Sequence, residues 1–244
     1  MQAHGNTILL TGGTSGIGLE LLRQFYIEGN KLIVASSNPD RLNKLHTEFP
    51  KVSTVVCDLA NPKSLRKLLE HCLNTYPEIN ILINNAGIQY NYQWIEEDDG
   101  FHRISREIRV NLTSPMHLIY GMLPQLSTKE QAAIVNVTSA LAFHPKRSAP
   151  VYCASKAALH NLSKTLRYQL EGTSVKVFEI IPPLVDTPMT KGRGKNKLSP
   201  KEVVDEFMIG FRKNRYEISV GKAKWLRRIG RIYPRLADRI LKNA

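Results

Sequence analysis

The sequence has no apolar run long enough to cross a membrane, because none reaches the ~18 residues that a spanning helix needs. It has only three cysteines, Cys57, Cys72 and Cys153, and their spacing matches neither a metal site nor a disulfide framework. The first apolar run starts at Thr7, so no signal peptide fits before it. Together these absences predict a cytoplasmic protein with reduced thiols and no metal.

The chain also lacks internal repeats, low-complexity segments and linkers. Its 244 residues and 42% hydrophobic content suit one α/β domain with a substantial core. Charge, by contrast, is unevenly spread: residues 190–244 carry 16 Lys/Arg and 5 Asp/Glu, a net +11, out of a total of +13. We therefore expect a domain over residues 1–221 and a basic extension over residues 222–244 with a surface function of its own.

Apolar runs rich in Val, Ile and Leu alternate with helical stretches along the domain. This alternation predicts a doubly wound (Rossmann), mostly parallel seven-stranded sheet with helices on both faces. The predicted strands are Thr7–Leu10, Leu32–Ala35, Ser53–Cys57, Ile81–Asn84, Ala133–Val137, Val175–Ile180 and Glu217–Val220. Asn61-Pro62 and the capping-box sequence Ser199-Pro200-Lys201-Glu202 predict helix starts.

A glycine-rich turn, Thr11-Gly12-Gly13-Thr14-Ser15-Gly16-Ile17-Gly18, follows the first predicted strand and precedes a predicted helix. Glycines let the backbone approach a pyrophosphate, and the helix N-terminus supplies N–H donors and a positive dipole. The spacing differs from the common Gly-x-Gly-x-x-Gly fingerprint. A tight turn with no ligand is the alternative, but the flanking strand and helix favour cofactor binding.

Tyr152 and Lys156 lie four residues apart on a predicted helix, so their side chains share one face. A nearby ammonium favours the ionised phenol, which predicts a pKa of Tyr152 below the usual value of about 10. Tyr152 is then a candidate acid/base near neutral pH. Such a pair alone is more typical of a solvated helix face, and it is the glycine-rich turn in the same domain that favours catalysis.

Three further motifs follow in order: Asn84-Asn85-Ala86-Gly87, Val110-Asn111-Leu112 and Ser139. With the glycine-rich turn and the Tyr-x-x-x-Lys pair, they resemble the short-chain dehydrogenase/reductase family from about Thr7 to Val220. Within that family, the string Pro182–Thr187 and the basic end are similar to the DltE-type oxidoreductases. The resemblance implies an NAD(P)-dependent oxidoreductase that interconverts a carbonyl and an alcohol by hydride transfer.

The resemblance also implies roles for single residues. Tyr152 would transfer the proton at the substrate oxygen, and Lys156 would lower the pKa of Tyr152 and bind the nicotinamide ribose. Ser139 would hold the substrate oxygen, and Asn111 would position a water that links Lys156 to solvent. The implied cofactor-binding residues are Gly12, Thr14, Ser15, Gly16, Ile17, Gly18, Ser36, Ser37, Asp58, Leu59, Asn85, Ala86, Gly87, Tyr152, Lys156, Pro182, Val185 and Thr187. Taken singly, Ser139 could be a strand-end cap, Asn111 a helix-kink residue and Asp58 a turn acid.

The residues after the second strand indicate NADP rather than NAD. An acid there would bind the ribose 2′-hydroxyl of NAD, and none stands in Val34–Pro39. The hydroxyls of Ser36 and Ser37 could donate to a 2′-phosphate. The Arg that NADP-using relatives often carry is replaced by Ser37, so NAD stays open.

Basic residues mark two segments near the end of the chain. Lys191, Arg193, Lys195 and Lys197 follow Thr187 and would form a roof over the substrate pocket, which predicts an anionic substrate. The alternative is a mobile loop whose charge serves solubility.

The extension combines apolar residues at helical spacing with Arg227, Arg231, Arg235 and Arg239, and Pro234 should kink or split it. We favour packing of its apolar stripe on the body or on a second subunit over binding to an anionic membrane surface. The resemblance implies a homodimer, and no motif for nucleic-acid recognition accompanies the charge. The alternative function is a regulator that binds NADP(H) without turnover, or a membrane-surface partner protein.

Overall fold

The computed structural model describes residues 1–95 and 99–242. At its centre lies a parallel seven-stranded sheet with the strand order β3-β2-β1-β4-β5-β6-β7. The strands are β1 (Thr7–Thr11), β2 (Lys31–Ser36), β3 (Ser53–Val56), β4 (Ile81–Asn84), β5 (Ala132–Val137), β6 (Val175–Ile181) and β7 (Glu217–Ser219). The predicted doubly wound sheet is confirmed, because every strand pair is parallel and each predicted strand end lies within one residue of the observed one.

Helices connect the strands and cover both faces of the sheet. They are α1 (Gly16–Ile27), α2 (Pro39–Glu48), α3 (Pro62–Thr75), α4 (Gly100–Ile108), α5 (Ser114–Ser127), α6 (Pro150–Gln169), α7 (Pro200–Arg212), α8 (Lys222–Ile232) and α9 (Pro234–Leu241). One core lies between the sheet and α1, α2 and α7, where Phe25, Phe207 and Phe211 are fully buried. The other lies between the sheet and α3, α5 and α6. Each buried large apolar side chain contributes about 1.5–3 kcal/mol to folding.

Side-chain caps fix where several helices begin. Asn61 Oδ1 accepts a hydrogen bond from the Lys63 amide at 2.9 Å. Ser199 Oγ accepts from the Glu202 amide at 3.2 Å, and Glu202 Oε2 accepts from the Ser199 amide at 2.7 Å, so the predicted capping box is present. Caps of this kind are worth about 1 kcal/mol each.

The strand order reverses between β1 and β4, which are neighbours in the sheet but not in the chain. In open parallel sheets a crevice forms at such a point, beyond the carboxyl ends of the strands. The loops after β1, β4, β5 and β6 therefore meet on one edge of the sheet, and this is where the predicted motifs lie.

The basic extension folds into α8 and α9, which are separated at Tyr233, so the predicted split at Pro234 is confirmed. It contacts the body at several points. Arg227 forms an ion pair with Glu217 on β7. His144 Nδ1 lies 2.8 Å from a carboxylate oxygen of Asp238. The Arg147 amide donates to the Lys242 carbonyl at 3.1 Å.

The outer side of the extension is apolar in part, with Trp225, Ile232, Tyr233 and Leu236 exposed. Over residues 1–95 and 99–242, the structure contains no helix with the length and apolar character needed to span a bilayer.

Candidate active site

A cavity of about 1160 Å³ opens at the carboxyl ends of the central strands. Ligand pockets for drug-sized molecules measure about 300–1,000 Å³, so this cavity suits a larger ligand. The predicted site residues that line it are Gly12, Thr14, Ser15, Gly16, Ile17, Ser36, Ser37, Asp58, Leu59, Asn85, Ala86, Gly87, Ser139, Tyr152, Lys156, Pro182, Val185 and Thr187. Two predicted residues, Gly18 and Asn111, do not line it.

The glycine-rich turn is shaped by close backbone approaches. Gly12 has φ 70°, in the left-handed region that favours glycine, and a Cβ there would lie 2.8 Å from the Cα of Ala86. A Cβ at Gly18 would lie 2.2 Å from the carbonyl oxygen of Gly12. Gly18 does not line the cavity itself; because it has no Cβ, the first turn of α1 can pack against the loop. At Gly16, a Cβ would lie 2.8 Å from Cγ2 of Thr187, so the turn touches the segment that follows β6.

Asn85 and Thr11 hold the turn in this shape. Asn85 Nδ2 donates to the carbonyl oxygens of Thr11 and Gly12 at 3.0 and 2.9 Å. Thr11 Oγ1 accepts from the amides of Asn85 and Ala86 at 3.1 and 3.2 Å. The Asn-Ala-Gly motif after β4 therefore fixes the glycine-rich turn, and it lines the cavity as well.

Ser139, Tyr152 and Lys156 lie together on the wall formed by β5 and α6. Tyr152 and Lys156 are buried on one face of α6, and the Lys156 Nζ lies 5.7 Å from the centroid of the Tyr152 ring. Ser139 caps the short 3-10 turn after β5, with its Oγ accepting from the Leu141 amide at 3.1 Å. The capping role and the position on the cavity are thus both observed for Ser139.

The predicted low pKa of Tyr152 is wrong. Burial raises the pKa of Tyr152 to about 12, although a hydrogen bond with the Ser139 side chain and the charge of Arg193 act in the opposite direction. The Lys156 ammonium does not lower the pKa of Tyr152, and its Nζ donates to the Val137 carbonyl at 2.7 Å. Burial also lowers the pKa of Lys156 to about 8. Desolvation disfavours the charged form of both groups.

Asn111 lies in a single π-helical turn, residues 109–113, between α4 and α5. Its Nδ2 donates to the Ile88 carbonyl at 2.8 Å and its Oδ1 accepts from the Ile88 amide at 2.9 Å. The alternative role as a helix-kink residue is therefore observed, and the side chain is engaged with the loop after β4. A Cβ at Gly87 would lie 3.4 Å from Asn111 Oδ1 and 3.6 Å from Lys156 Nζ, so both side chains reach the same side of Gly87.

The far end of the cavity is polar. Thr14 Oγ1 lies 3.4 Å from Ser36 Oγ, which joins the glycine-rich turn to the end of β2. Asp58 Oδ1 accepts from the Ala60 amide at 3.0 Å and the Asp58 carboxylate pairs with Arg106 at 3.3 Å. The alternative role of Asp58 as a turn acid is thus observed, next to its position on the cavity.

Sequence reasoning missed several residues that line the cavity: Arg41, Arg106, Lys146 and the α8 residues Leu226 and Ile229. For Arg41, the available signal was a basic residue in the first turn of the helix after the second strand. No local signal identifies the others, since they come from segments outside the motifs. Of the predicted basic roof, Arg193 and Lys195 line the cavity, whereas Lys197 Nζ donates to the Thr190 carbonyl at 2.6 Å.

The residues present fit a dinucleotide. The glycine-rich turn packs so closely that a Cβ at Gly12 or Gly18 would collide with neighbouring backbone, and it lies at the N-terminus of α1, where backbone N–H groups favour phosphate. Serine hydroxyls at the end of β2 stand where the ribose of a dinucleotide would lie in such a fold. Fold and cavity together define a Rossmann-fold protein with a cavity that fits a dinucleotide.

Comparison with known proteins identifies the family. The family model described as short chain dehydrogenase matches residues 6–198. The chain is 40% identical to the uncharacterized oxidoreductase DltE of Bacillus subtilis (strain 168) over 247 aligned positions, which cover 98% of both chains. An uncharacterized oxidoreductase of Staphylococcus epidermidis is 29% identical over 81% of this chain and 86% of its own. The chain belongs to the short-chain dehydrogenase/reductase family.

Solved structures share the fold at lower identity. A short-chain dehydrogenase from Burkholderia cenocepacia in complex with NADP has a TM-score of 0.88 and 24% identity, with both chains covered completely. A short-chain dehydrogenase/reductase from Burkholderia phymatum in complex with NAD has a TM-score of 0.86 and 21% identity, covering 97% of this chain and 96% of the other. These two structures show that this chain shares their Rossmann fold. The family match and the 40% identity to DltE make it an oxidoreductase of the short-chain family.

Proposed function

We propose that this protein is an NAD(P)-dependent enzyme that interconverts a carbonyl and an alcohol, with Tyr152 as the acid/base. One observation carries the proposal: Ser139, Tyr152 and Lys156 line the same cavity as the glycine-rich turn. A bound nicotinamide would supply or accept the hydride. The protein's own contribution is to bind and orient the substrate and to move one proton at its oxygen.

Each residue of this group has a distinct task. When hydride adds to a carbonyl carbon, negative charge develops on the oxygen, and hydroxyl donors aimed at that oxygen stabilise it. Ser139 and Tyr152 are these donors, and Tyr152 transfers its proton. Because the pKa of Tyr152 is about 12, its phenol is protonated at neutral pH, which is the form that carbonyl reduction needs. Lys156 holds the nicotinamide ribose, and Asn111 supports the proton path from Lys156 to solvent by fixing the loop after β4.

NADP is the preferred cofactor in this proposal. No carboxylate follows β2 to bind a ribose 2′-hydroxyl, and Ser36, Ser37 and Arg41 line this end of the cavity. Arg41 supplies the cation that the residues directly after the strand lack, and guanidinium binds phosphate by charge-assisted hydrogen bonds. Arg106, by contrast, is already paired with Asp58.

A Tyr152→Phe variant tests the catalytic role. The experiment follows nicotinamide absorbance over a panel of carbonyls and alcohols and measures NADPH binding by fluorescence. We expect turnover to fall at least a hundred-fold, since general acid–base catalysis contributes about 10²–10⁴-fold, while NADPH still binds. The matched control is Tyr168→Phe, at an exposed position on the same helix α6, and it should keep full activity.

The opposite result would favour the alternative function. If the wild-type protein binds NADPH but turns over no substrate, or if Tyr152→Phe leaves turnover unchanged, the protein acts as a cofactor-binding regulator.

The finer proposals on organisation are a catalytic domain over residues 1–221 with a basic extension over residues 222–244, a homodimer, and a cytoplasmic location. The apolar side chains exposed on the α4 and α5 side, Phe101, Met116 and Tyr120, support the dimer.

A further inference from the structure

Two cations from separate loops lie in the cavity beside the catalytic group. Lys146 belongs to the loop between β5 and α6, and Arg193 belongs to the loop between β6 and α7. Both line the cavity that also contains Tyr152. They interact electrostatically, because Arg193 contributes to a lowered pKa of Lys146, after the larger effect of burial. The fold has thus brought two like charges together, which costs free energy unless an anion joins them.

The structure provides no such anion within its described part. Over residues 1–95 and 99–242, neither Lys146 nor Arg193 forms an ion pair, whereas Arg106 pairs with Asp58 on the same cavity. In addition, Nη1 of Arg193 is buried without a hydrogen-bond partner. A buried donor on a charged group without a partner is costly, and a carboxylate or phosphate oxygen is the acceptor that matches it.

The position of Arg193 is set by the backbone. Its amide donates to the Thr190 carbonyl at 3.0 Å. The next residue, Gly194, packs so closely that a Cβ there would lie 2.4 Å from Cδ2 of Leu184. These backbone contacts therefore hold the base of the Arg193 side chain next to the cavity.

The pair lies on the Tyr152 side of the cavity. The charge of Arg193 acts on the Tyr152 phenol, and the Lys146 carbonyl lies 4.0 Å from the sulfur of Cys153, the residue that follows Tyr152. The glycine-rich turn instead contacts Thr187 and the end of β2. Both cations are therefore linked to the part of the cavity that holds Tyr152, where the substrate carbonyl would react.

Building on the proposed function, we propose that Lys146 and Arg193 together bind a carboxylate or phosphate group of the substrate. The remaining wall here comes from α8, where Leu226 and Ile229 line the cavity. The substrate class is then a carbonyl compound, or its alcohol, with an anionic group at one end and an apolar part that packs against α8.

The test is calorimetric binding of matched probes to the full chain with saturating NADP⁺, where a ketone cannot be reduced. One pair is 4-oxopentanoate and 2-pentanone; the other is dihydroxyacetone phosphate and dihydroxyacetone. We expect at least one anionic probe to bind about ten-fold or more tightly than its neutral partner, and which one does so distinguishes carboxylate from phosphate. Arg193→Gln and Lys146→Gln should each remove about ten-fold or more of this affinity. The exposed Lys191→Gln in the same loop is the matched control and should remove none.

Three results would overturn the inference. First, the anionic and neutral members of both probe pairs bind equally tightly. Second, Arg193→Gln and Lys146→Gln leave the preference for the anionic probe unchanged. The third is a loss of NADP⁺ affinity in Arg193→Gln and Lys146→Gln, which would assign the cations to the cofactor. None of these results touches the Tyr152→Phe experiment, so failure of this inference and failure of the proposed function are distinguishable.

Discussion

Glu107 offers a quantitative test of how this fold treats a buried carboxyl. It lies on α4 with no exposed surface, its Oε1 accepts from the Tyr90 amide at 3.2 Å, and its Oε2 has no partner in the described part of the chain. Burial raises the pKa of Glu107 to about 7, although the Tyr90 hydrogen bond lowers it. The perturbation we consider is Glu107→Gln, which keeps the shape and the acceptor while removing the titration.

The sign of the pH effect follows from proton linkage. The folded protein holds the Glu107 proton up to about pH 7, whereas the unfolded chain loses it near the ordinary value of 4.5. The stabilisation is therefore complete below pH 4.5 and is lost as pH rises through about 7. At about 1.4 kcal/mol for each pH unit between the two values, the loss amounts to at most about 3 kcal/mol.

Urea unfolding at a series of pH values from 5 to 8 measures this effect. The free energy of unfolding of the wild-type protein should fall by up to about 3 kcal/mol more over this range than that of Glu107→Gln. A constant offset between the two proteins carries no information, because the glutamine leaves a buried amide group at every pH. Glu70→Gln, an exposed position on α3, is the control and should follow the wild type. Parallel pH dependences for wild type and Glu107→Gln would contradict a raised pKa of Glu107.

Other predictions concern the cofactor and the surface. Arg41→Gln should reduce the ratio of kcat/KM for NADPH over NADH about ten-fold, and a clear preference of the wild type for NADH would overturn the cofactor proposal. Gly18→Ala puts a Cβ 2.2 Å from a backbone oxygen, so NADPH affinity in a fluorescence titration should fall at least ten-fold; unchanged affinity would contradict the role of the turn. Tyr120→Arg should shift a homodimer toward monomer in light scattering, and an unchanged mass would exclude this face. Because packing of the extension is favoured over membrane binding, the wild type and a Trp225→Ser, Ile232→Ser double variant should pellet equally with anionic vesicles; lower pelleting of the variant would favour the membrane alternative.

Much of the fold can be predicted from short stretches of sequence. Strand and helix alternation, the glycine-rich turn and the caps at Asn61 and Ser199 depend on residues within a few positions of each other. The side chains there set turns and helix starts by short-range sterics and hydrogen bonds. The shared face of Tyr152 and Lys156 is also set locally, since four-residue spacing on a helix brings them together before any tertiary contact forms.

The properties of the site depend on which distant segments meet. The Tyr152 pKa was predicted in the wrong direction because sequence spacing reports the nearby ammonium but not the burial that outweighs it. The side chain of Asn111 is engaged by Ile88, a partner from the loop after β4.

The parallel Rossmann sheet, the glycine-rich turn and the shared face of Tyr152 and Lys156 follow from local patterns in the sequence. Chain folding, by contrast, brings Arg41, Lys146, Arg193 and α8 to the wall of the cavity that contains Tyr152, and no local pattern shows this. The physical reason is the distance along the chain over which each interaction acts. Backbone sterics and helical periodicity act over a few residues, whereas desolvation and charge–charge interactions depend on distances that chain folding alone establishes.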